Sequence, residues 1–226
     1  MAYLSRAALH LEVSRGFNAT YVIHQLVADH FGERSDRGYL YRVLSRAPRE
    51  AEVLILSTDV ADPDPPPREW GRSLKVETRP YDFVPEAGQL LDFEVRLNAT
   101  RVVTDDQSGK SRIDLWDAVR RQDPQSELGP HDVYGAYLER RLDGAARLYA
   151  ARVVERGLEK AARSGRRPIT FVSTNLIGTL EVSHPDRFIE TVAAGVGRAK
   201  AFGQGLLCLS RPGTILPRRY GGRELL

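Results

Sequence analysis

Tyr21 and His24 stand three residues apart in a segment whose apolar residues recur with the spacing of a helix. Over residues 19–31 the apolar side chains, together with His30, gather on one side of that predicted helix, and Tyr21 and His24 lie on the opposite side. An imidazole with an ordinary pKa of about 6.5 gives or takes a proton near neutrality, and a phenol holds a hydroxyl or an oxyanion by hydrogen bonding. The pair suits phosphodiester transfer in RNA, where the substrate's own 2′-hydroxyl attacks the neighbouring phosphorus. Packing against another element is the alternative role for such a pair.

A glycine-rich segment near the other end of the chain has the groups that this reaction needs around its phosphate. Residues 195–205 contain four glycines and two cations among their members: Gly195, Gly197, Arg198, Lys200, Gly203 and Gly205. Glycines let backbone N–H groups approach an anion closely, and the cations neutralise its charge. The pattern predicts an anion-binding loop, and a turn that only closes a sheet is the alternative.

Two other kinds of phosphate chemistry do not fit the sequence. The glycine segment follows a predicted helix and precedes an apolar strand, whereas a P-loop runs from a strand into a helix. Gly109-Lys110-Ser111 has the end of that motif, but Thr104 stands where its first glycine belongs. One cysteine, Cys208, and five histidines without metal-ligand spacing predict a site with no protein-held metal and no other cofactor.

Composition and charge favour two domains and a nucleic-acid partner. The chain has 226 residues, 42% of them hydrophobic, which is enough for one large or two small domains, and we expect two. Residues 140–167 hold nine Lys or Arg against three acids, so the second half should face a polyanion. No apolar run approaches the ~20 residues of a membrane span, the N-terminus has the pattern of a strand, and a lone cysteine suits a reducing compartment. We expect a cytoplasmic protein with no membrane partner.

Strand and helix patterns alternate along the chain and predict its fold class. Strands are expected over 3–13, 39–44, 52–57, 90–103, 169–173, 176–182 and 206–210, helices over 19–31, 132–162 (interrupted at Gly144) and from Asp186, with a hairpin turn at 105–109. Arg152, Arg156, Lys160 and Arg163 follow helical spacing and predict a solvated helix face. The order strand, helix, strand, strand, helix, strand, repeated twice, is that of the ferredoxin-like unit, which RNA-recognition modules share. We therefore predict an α+β fold of tandem ferredoxin-like (RRM-like) domains with antiparallel sheets, divided into residues 1–85, 86–212 and a basic tail at 213–226.

Several motifs, taken in chain order, resemble one known family. They are Ser14-Arg15, Tyr21-x-x-His24, Arg96-Leu-Asn-Ala-Thr-Arg101, Gly109-Lys-Ser-Arg112, Leu138-Glu-Arg-Arg-Leu142, Gly178-Thr-Leu-Glu-Val182 followed by Pro185, and the terminal segment 195–209. Together they cover nearly the whole chain and resemble the CasE-type CRISPR repeat-RNA endoribonuclease, a subunit of type I-E Cascade. The resemblance is most specific in the terminal glycine motif, although Arg198 stands where family members often have proline.

The resemblance implies an activity and its partners. Members of the family cut the repeat hairpin of CRISPR precursor RNA without metal, and leave a 2′,3′-cyclic phosphate or a 3′-phosphate end and a free 5′-hydroxyl. They then stay on the mature guide RNA together with the other Cascade protein subunits. A non-catalytic RNA-binding subunit of the same kind of complex is the alternative function.

The resemblance also implies roles for individual residues. Tyr21 would position or help activate the attacking 2′-hydroxyl, and His24 would act as general acid or base at the scissile phosphate. RNA would be bound by basic, polar and glycine residues, namely Arg15, Arg96, Asn98, Arg101, Lys110, Arg112, Arg140, Arg141, Arg147, Gly195, Gly197, Arg198, Lys200, Gly203 and Gly205.

Overall fold

The computed structural model describes residues 1–12, 17–32, 37–105, 109–163 and 165–213, which form two compact units. The first unit comprises Met1–Phe83, Glu159–Thr170 and Ala199–Leu206. The second comprises Val84–Leu158, Phe171–Arg198 and the chain from Leu207. The domain limits at residues 85 and 212 stay a prediction. Two later segments, one of them the end of the glycine segment, belong to the same unit as the N-terminal part of the chain.

The first unit is an antiparallel four-stranded sheet with a helix against one face. Its strands are β1 (Ala2–Leu11), β2 (Tyr39–Arg46), β3 (Glu50–Ser57) and β4 (Gly71–Tyr81), in the order β2-β3-β1-β4, and helix α1 (Ala19–Asp29) joins β1 to β2. Alternate residues Ala7, Leu9 and Leu11 of β1 are fully buried and pack in one core with Val22 and Val27 of α1. The faces of β1 and α1 that the sequence patterns predicted to be buried therefore form this core.

Strand β4 has no counterpart among the predicted strands. Most of its side chains are exposed, so it lacks the apolar alternation by which a half-buried strand is found in a sequence. Gly71 begins the strand with φ +140°, and a Cβ at this position would lie 2.2 Å from the His10 carbonyl oxygen of β1. A glycine is required there because the two backbones approach too closely for a side chain.

The second unit contains another four-stranded sheet and a separate hairpin. The sheet has the order β10-β5-β9-β8, from β5 (Leu90–Leu97), β8 (Ala146–Ala161), β9 (Ile169–Val182) and β10 (Leu207–Ser210). The hairpin pairs β6 (Thr100–Asp105) with β7 (Gly109–Asp114), and the helices are α2 (Leu115–Gln122), α3 (Pro130–Leu142) and α4 (Pro185–Ala194). Both sheets place their first and third strands in the centre, which is the strand order of the ferredoxin-like unit. The predicted α+β fold class with antiparallel sheets is confirmed.

The helix predicted over residues 132–162 is wrong beyond Leu142. Helix α3 ends there because Asp143 and Gly144 both take positive φ values, 46° and 74°, and the chain then turns into strand β8. Arg152, Arg156 and Lys160 recur every four residues, a spacing that keeps side chains together on a helix but also on one face of a strand. The recurrence therefore did not distinguish the two structures. The single strand predicted over 90–103 is likewise two strands, β5 and β6.

Arg156 does not lie on a solvated helix face but joins strand β8 to the end of the hairpin. Its Nη2 donates to Asp114 Oδ1 at 3.0 Å and to Asp117 Oδ1 at 2.7 Å, and its Nε donates to the Tyr134 hydroxyl at 2.9 Å. Asp114 ends β7 and caps α2, and its side chain is 1% exposed. The ion pair thus holds the hairpin, two helices and β8 in one arrangement.

Within the described ranges, none of the helices combines the length and the apolarity that crossing a bilayer requires.

Candidate active site

Asn18 fixes the start of the helix that carries Tyr21 and His24. Its Oδ1 accepts hydrogen bonds from the backbone N–H groups of Tyr21 (3.1 Å) and Ala162 (3.0 Å), and its Nδ2 donates to the Lys160 carbonyl. The first bond satisfies one of the free donors at a helix N-terminus, while the other two tie α1 to the end of β8. Asn18 was not among the predicted site residues, although an asparagine just before a predicted helix is a recognised capping signal.

Tyr21 and His24 occupy the half-buried side of α1. The fully buried residues of the helix are Val22, Ile23, Leu26 and Val27, as the helical pattern predicted. The rings of Tyr21 and His24 have their centres 6.2 Å apart and their planes at 75°. Because residues three apart face the same way on a helix, both side chains can contact one small group.

The end of the glycine segment lies against His24. The centre of the Phe202 ring is 5.4 Å from that of His24, and the two planes meet at 68°. Phe202 ends a short 3₁₀ turn, Lys200–Phe202, that is entered through Ala199 at φ 56° and left through Gly203 at φ 74°. The structure therefore brings the candidate pair and this part of the glycine segment together within the first unit. Phe202 was not among the predicted site residues, and its signal in the sequence is that of a lone aromatic residue among glycines and cations.

Tyr41 of strand β2 holds this turn in place. Its side chain is 1% exposed, and its hydroxyl donates to the Ala201 carbonyl oxygen at 2.9 Å. A Cβ at Gly203 would lie 3.1 Å from the Tyr41 ring, so the glycine allows the turn to pack directly on that ring. The position of Phe202 against His24 thus depends on a tyrosine in the sheet.

The surroundings of His24 favour its neutral form. Burial, together with the smaller effect of the charge of Arg37, lowers the pKa of His24 to about 4. Nδ1 of His24 is buried and has no hydrogen-bond partner among the described residues. At pH 7 the imidazole is therefore neutral, and Nε2 is the nitrogen that remains to meet a substrate.

The first half of the glycine segment lies in the second unit and has structural roles there. Gly195 ends α4 at φ 70°, and Gly197, at φ 82°, packs against Tyr137, whose hydroxyl would lie 3.1 Å from a Cβ. Arg198 is exposed and its backbone forms a bridge with that of Asn98. The Asn98 side chain is 6% exposed and donates to the Val172 carbonyl at 2.8 Å, so its amide is engaged within the unit. In the first unit, Gly205 has φ 86° and is buried.

The cations predicted to bind RNA differ in how available they are. Arg101 and Arg112 are exposed on the hairpin but on opposite faces, since Arg101 pairs with Ile113 and not with Arg112. Arg96 is ion-paired with Glu155 at 3.1 Å and only 19% of its side chain is exposed. The remaining members of the set are Lys110 in β7, exposed Arg140 and Arg141 in the last turn of α3, exposed Arg147 in β8, and Arg15, which lies outside the described residues.

A cavity opens beside the start of α1. It has a volume of about 490 Å³ and is lined by Asn18, Thr20, Arg46, Pro48, Glu159 and Lys160, among others. Arg46 lies 3.8 Å from Glu159 across it.

In the part of the chain that the structure describes, no group of three or more His, Cys, Asp or Glu side chains is arranged to hold a metal ion.

Comparisons with known proteins agree with this architecture. Residues 2–211 match the model of the protein family described as CRISPR associated protein. The CRISPR system Cascade subunit CasE of Escherichia coli (strain K12) is 26% identical over 211 residues, which are 92% of this chain and 98% of that protein. The crystal structure of the CRISPR-associated protein Cas6e from Escherichia coli str. K-12 superposes with a TM-score of 0.68 at 22% identity, over 92% of this chain and 99% of that one. Thermus thermophilus Cse3, bound to an RNA representing a pre-cleavage complex, superposes with a TM-score of 0.67 at 22% identity, over 92% and 98% of the two chains. The motif resemblance is confirmed: the chain belongs to the CRISPR associated protein family and is of the CasE type.

Proposed function

We propose that the chain is an endoribonuclease that binds and cleaves the repeat hairpin of CRISPR precursor RNA, and that it keeps the mature guide RNA within a Cascade complex. The observation that carries this proposal is the contact between the Tyr21–His24 helix and the end of the glycine segment, with the His24 and Phe202 rings 5.4 Å apart. The related proteins support the choice of substrate and assembly. CasE of Escherichia coli is a Cascade subunit, and Thermus thermophilus Cse3 has been solved with RNA.

The proposed reaction needs no protein nucleophile and no protein-held metal. Neutral His24 accepts the proton of the 2′-hydroxyl, whose oxygen attacks the adjacent phosphorus. The bond from phosphorus to the 5′ oxygen breaks, and that oxygen takes a proton from solvent. The products are a 2′,3′-cyclic phosphate and a free 5′-hydroxyl. Tyr21 orients the reacting ribose and phosphate by donating its O–H.

The glycine segment supplies a cation of the proposed site, and the hairpin of the second unit carries cations for binding RNA. Lys200 stands in the turn that contacts His24, so its charge lies in the same short element as Phe202. A phosphate bound there stabilises the imidazolium that forms when His24 takes up the proton. Lys110 and Arg112 on β7, together with exposed Arg198, are proposed to contact the RNA backbone.

The test separates cleavage from binding. A cognate repeat hairpin is incubated with the protein in excess chelator, and a hairpin with deoxyribose before the cut measures binding without reaction. We expect His24→Ala to lower the cleavage rate by ~10²-fold or more, because a positioned acid or base contributes this much, and to leave the affinity for the deoxy hairpin within a few-fold. His184→Ala, which removes an exposed imidazole at the start of α4, is the matched control and should cleave normally.

Two outcomes would contradict the proposal. Equal loss of binding and cleavage in His24→Ala would favour the non-catalytic RNA-binding subunit. Cleavage that stops in chelator would refute the metal-independent reaction.

A further inference from the structure

A row of five half-buried rings runs along the first unit, and the proposed catalytic pair lies within it. The centres of neighbouring rings are 5.7 Å apart between Trp70 and Phe17, 5.9 Å between Phe17 and Tyr21, 6.2 Å between Tyr21 and His24, and 5.4 Å between His24 and Phe202. The row is therefore continuous from the start of β4, along α1, to the glycine segment. The proposed reaction uses Tyr21 and His24 but leaves Phe17 and Trp70 without a role.

The rings of the row fall into two groups by orientation. Trp70 and Phe17 are inclined by 30° and Phe17 and Tyr21 by 40°, so these three faces turn in similar directions. His24 stands at 75° to Tyr21 and at 68° to Phe202. The first three rings have the geometry of a stacking surface, whereas His24 meets both of its neighbours in a T-shaped arrangement.

The first two rings of the row, Trp70 and Phe17, are held by the backbone around them. The Trp70 carbonyl accepts a hydrogen bond from the Glu12 N–H at 2.8 Å, and Gly71 follows in close contact with β1. Phe17 directly precedes Asn18, the residue that ties α1 to the end of β8. Both rings pack partly against the core of the first unit and are half-buried. A surface of this kind is fixed before a ligand arrives, which lowers the entropic cost of binding.

Cations flank the three stacking rings. Exposed Arg49 and Arg72 stand at the Trp70 end, where they help His10 to hold the pKa of Glu12 below its usual range. Arg46 and Lys160 line the cavity together with Asn18, the residue that follows Phe17 in the chain. Aromatic faces for the bases and cations for the backbone are the combination by which proteins bind single-stranded nucleic acid.

Resting on the proposed function, we infer that Trp70, Phe17 and Tyr21 form a stacking platform for unpaired nucleobases next to the cleaved linkage. Substrate recognition then extends beyond the paired stem into the single-stranded flank of the hairpin. Because every base has a stacking face, the platform selects unpaired nucleotides more than any particular base.

The first experiment compares hairpins that carry deoxyribose at the cut. One has natural flanking nucleotides, one has abasic flanking nucleotides, and two more are flanked on the 5′ or the 3′ side alone. We expect abasic flanks to weaken binding by roughly 5- to 100-fold, the effect of losing base stacking on an aromatic residue. The single-flank hairpin that keeps the natural affinity shows on which side of the stem the platform binds. Phe17→Leu and Trp70→Leu, which keep apolar volume but remove the ring, should weaken binding of the natural hairpin and not of the abasic one. Equal weakening of both RNAs would overturn the inference.

The second experiment leaves the platform intact. The chain has two tryptophans, Trp70 and Trp116, so Trp116→Phe makes Trp70 the sole tryptophan. Its fluorescence should be quenched by the naturally flanked hairpin and unchanged by the abasic one. Normal cleavage of the hairpin with no quenching by either RNA would refute the platform while leaving the proposed function in place. Absence of hairpin binding and cleavage by the natural chain would instead refute the proposed function.

Discussion

The hydrogen bond from Tyr41 to the Ala201 carbonyl should control both the stability of the first unit and the position of Phe202 beside His24. Tyr41→Phe removes one hydroxyl from a ring that is 1% exposed and keeps its packing. The lost bond is 2.9 Å long, and its loss leaves the Ala201 oxygen without this donor. From the usual net worth of such a bond and the cost of a polar group without its partner, we expect the free energy of unfolding to fall by about 1–2 kcal/mol. If the turn loosens by the same amount, cleavage falls by roughly 5- to 30-fold, since ~1.4 kcal/mol corresponds to a factor of ten in rate.

Urea unfolding and single-turnover cleavage of the repeat hairpin measure the two effects of Tyr41→Phe. Tyr3→Phe is the matched control, because the Tyr3 hydroxyl lies 3.7 Å from the Met1 sulfur in an exposed position. The control should leave both quantities close to those of the natural chain. Lower stability of Tyr41→Phe with an unchanged cleavage rate would refute the role of the turn in the reaction. Unchanged stability would refute the assigned strength of the buried bond.

Two further predictions concern buried charge. Lowering the pH from about 7 to about 5 should destabilise the first unit. Burial lowers the pKa of His24 to about 4 in the folded state, and it also lowers the pKa of His30. Below about pH 6.5 the unfolded chain therefore binds protons on these histidines that the folded chain does not, and this shifts the equilibrium toward unfolding. Urea unfolding at several pH values should show a weaker pH dependence in His24→Gln, and an unchanged dependence would contradict this explanation. Arg156→Met should lower the free energy of unfolding of the second unit by about 2–3 kcal/mol, because Asp114, with its side chain 1% exposed, loses the cation that compensates its burial. Arg152→Met changes the same charge at an exposed position of the same strand, and a loss of equal size in that control would show that the ion pair contributes little.

Local sequence patterns were sufficient to identify a strand or helix wherever one face of that element is apolar. The apolar residues of strand β1 alternate with polar ones, and those of helix α1 recur with the helical period. Both elements, and the side of α1 that carries Tyr21 and His24, could therefore be predicted from the sequence. Patterns failed where burial is not periodic. Strand β4 is mostly exposed, and the four-residue recurrence of cations in β8 fits a strand as well as a helix. The motif resemblance reached the family and the fold class without depending on these elements.

The order of residues along the chain specified which groups are chemically suited to the reaction and which elements carry them. Folding determined which of these groups meet. Tyr41 and Ala201 lie 160 residues apart in the chain and Asn18 and Lys160 lie 142 apart, yet each pair is joined by a hydrogen bond. No local period encodes such contacts, because they follow from strand order and from the closeness that particular glycines allow between backbones. The lowered pKa of His24 has the same origin, since desolvation depends on the atoms that surround the imidazole after folding and not on its neighbours in sequence.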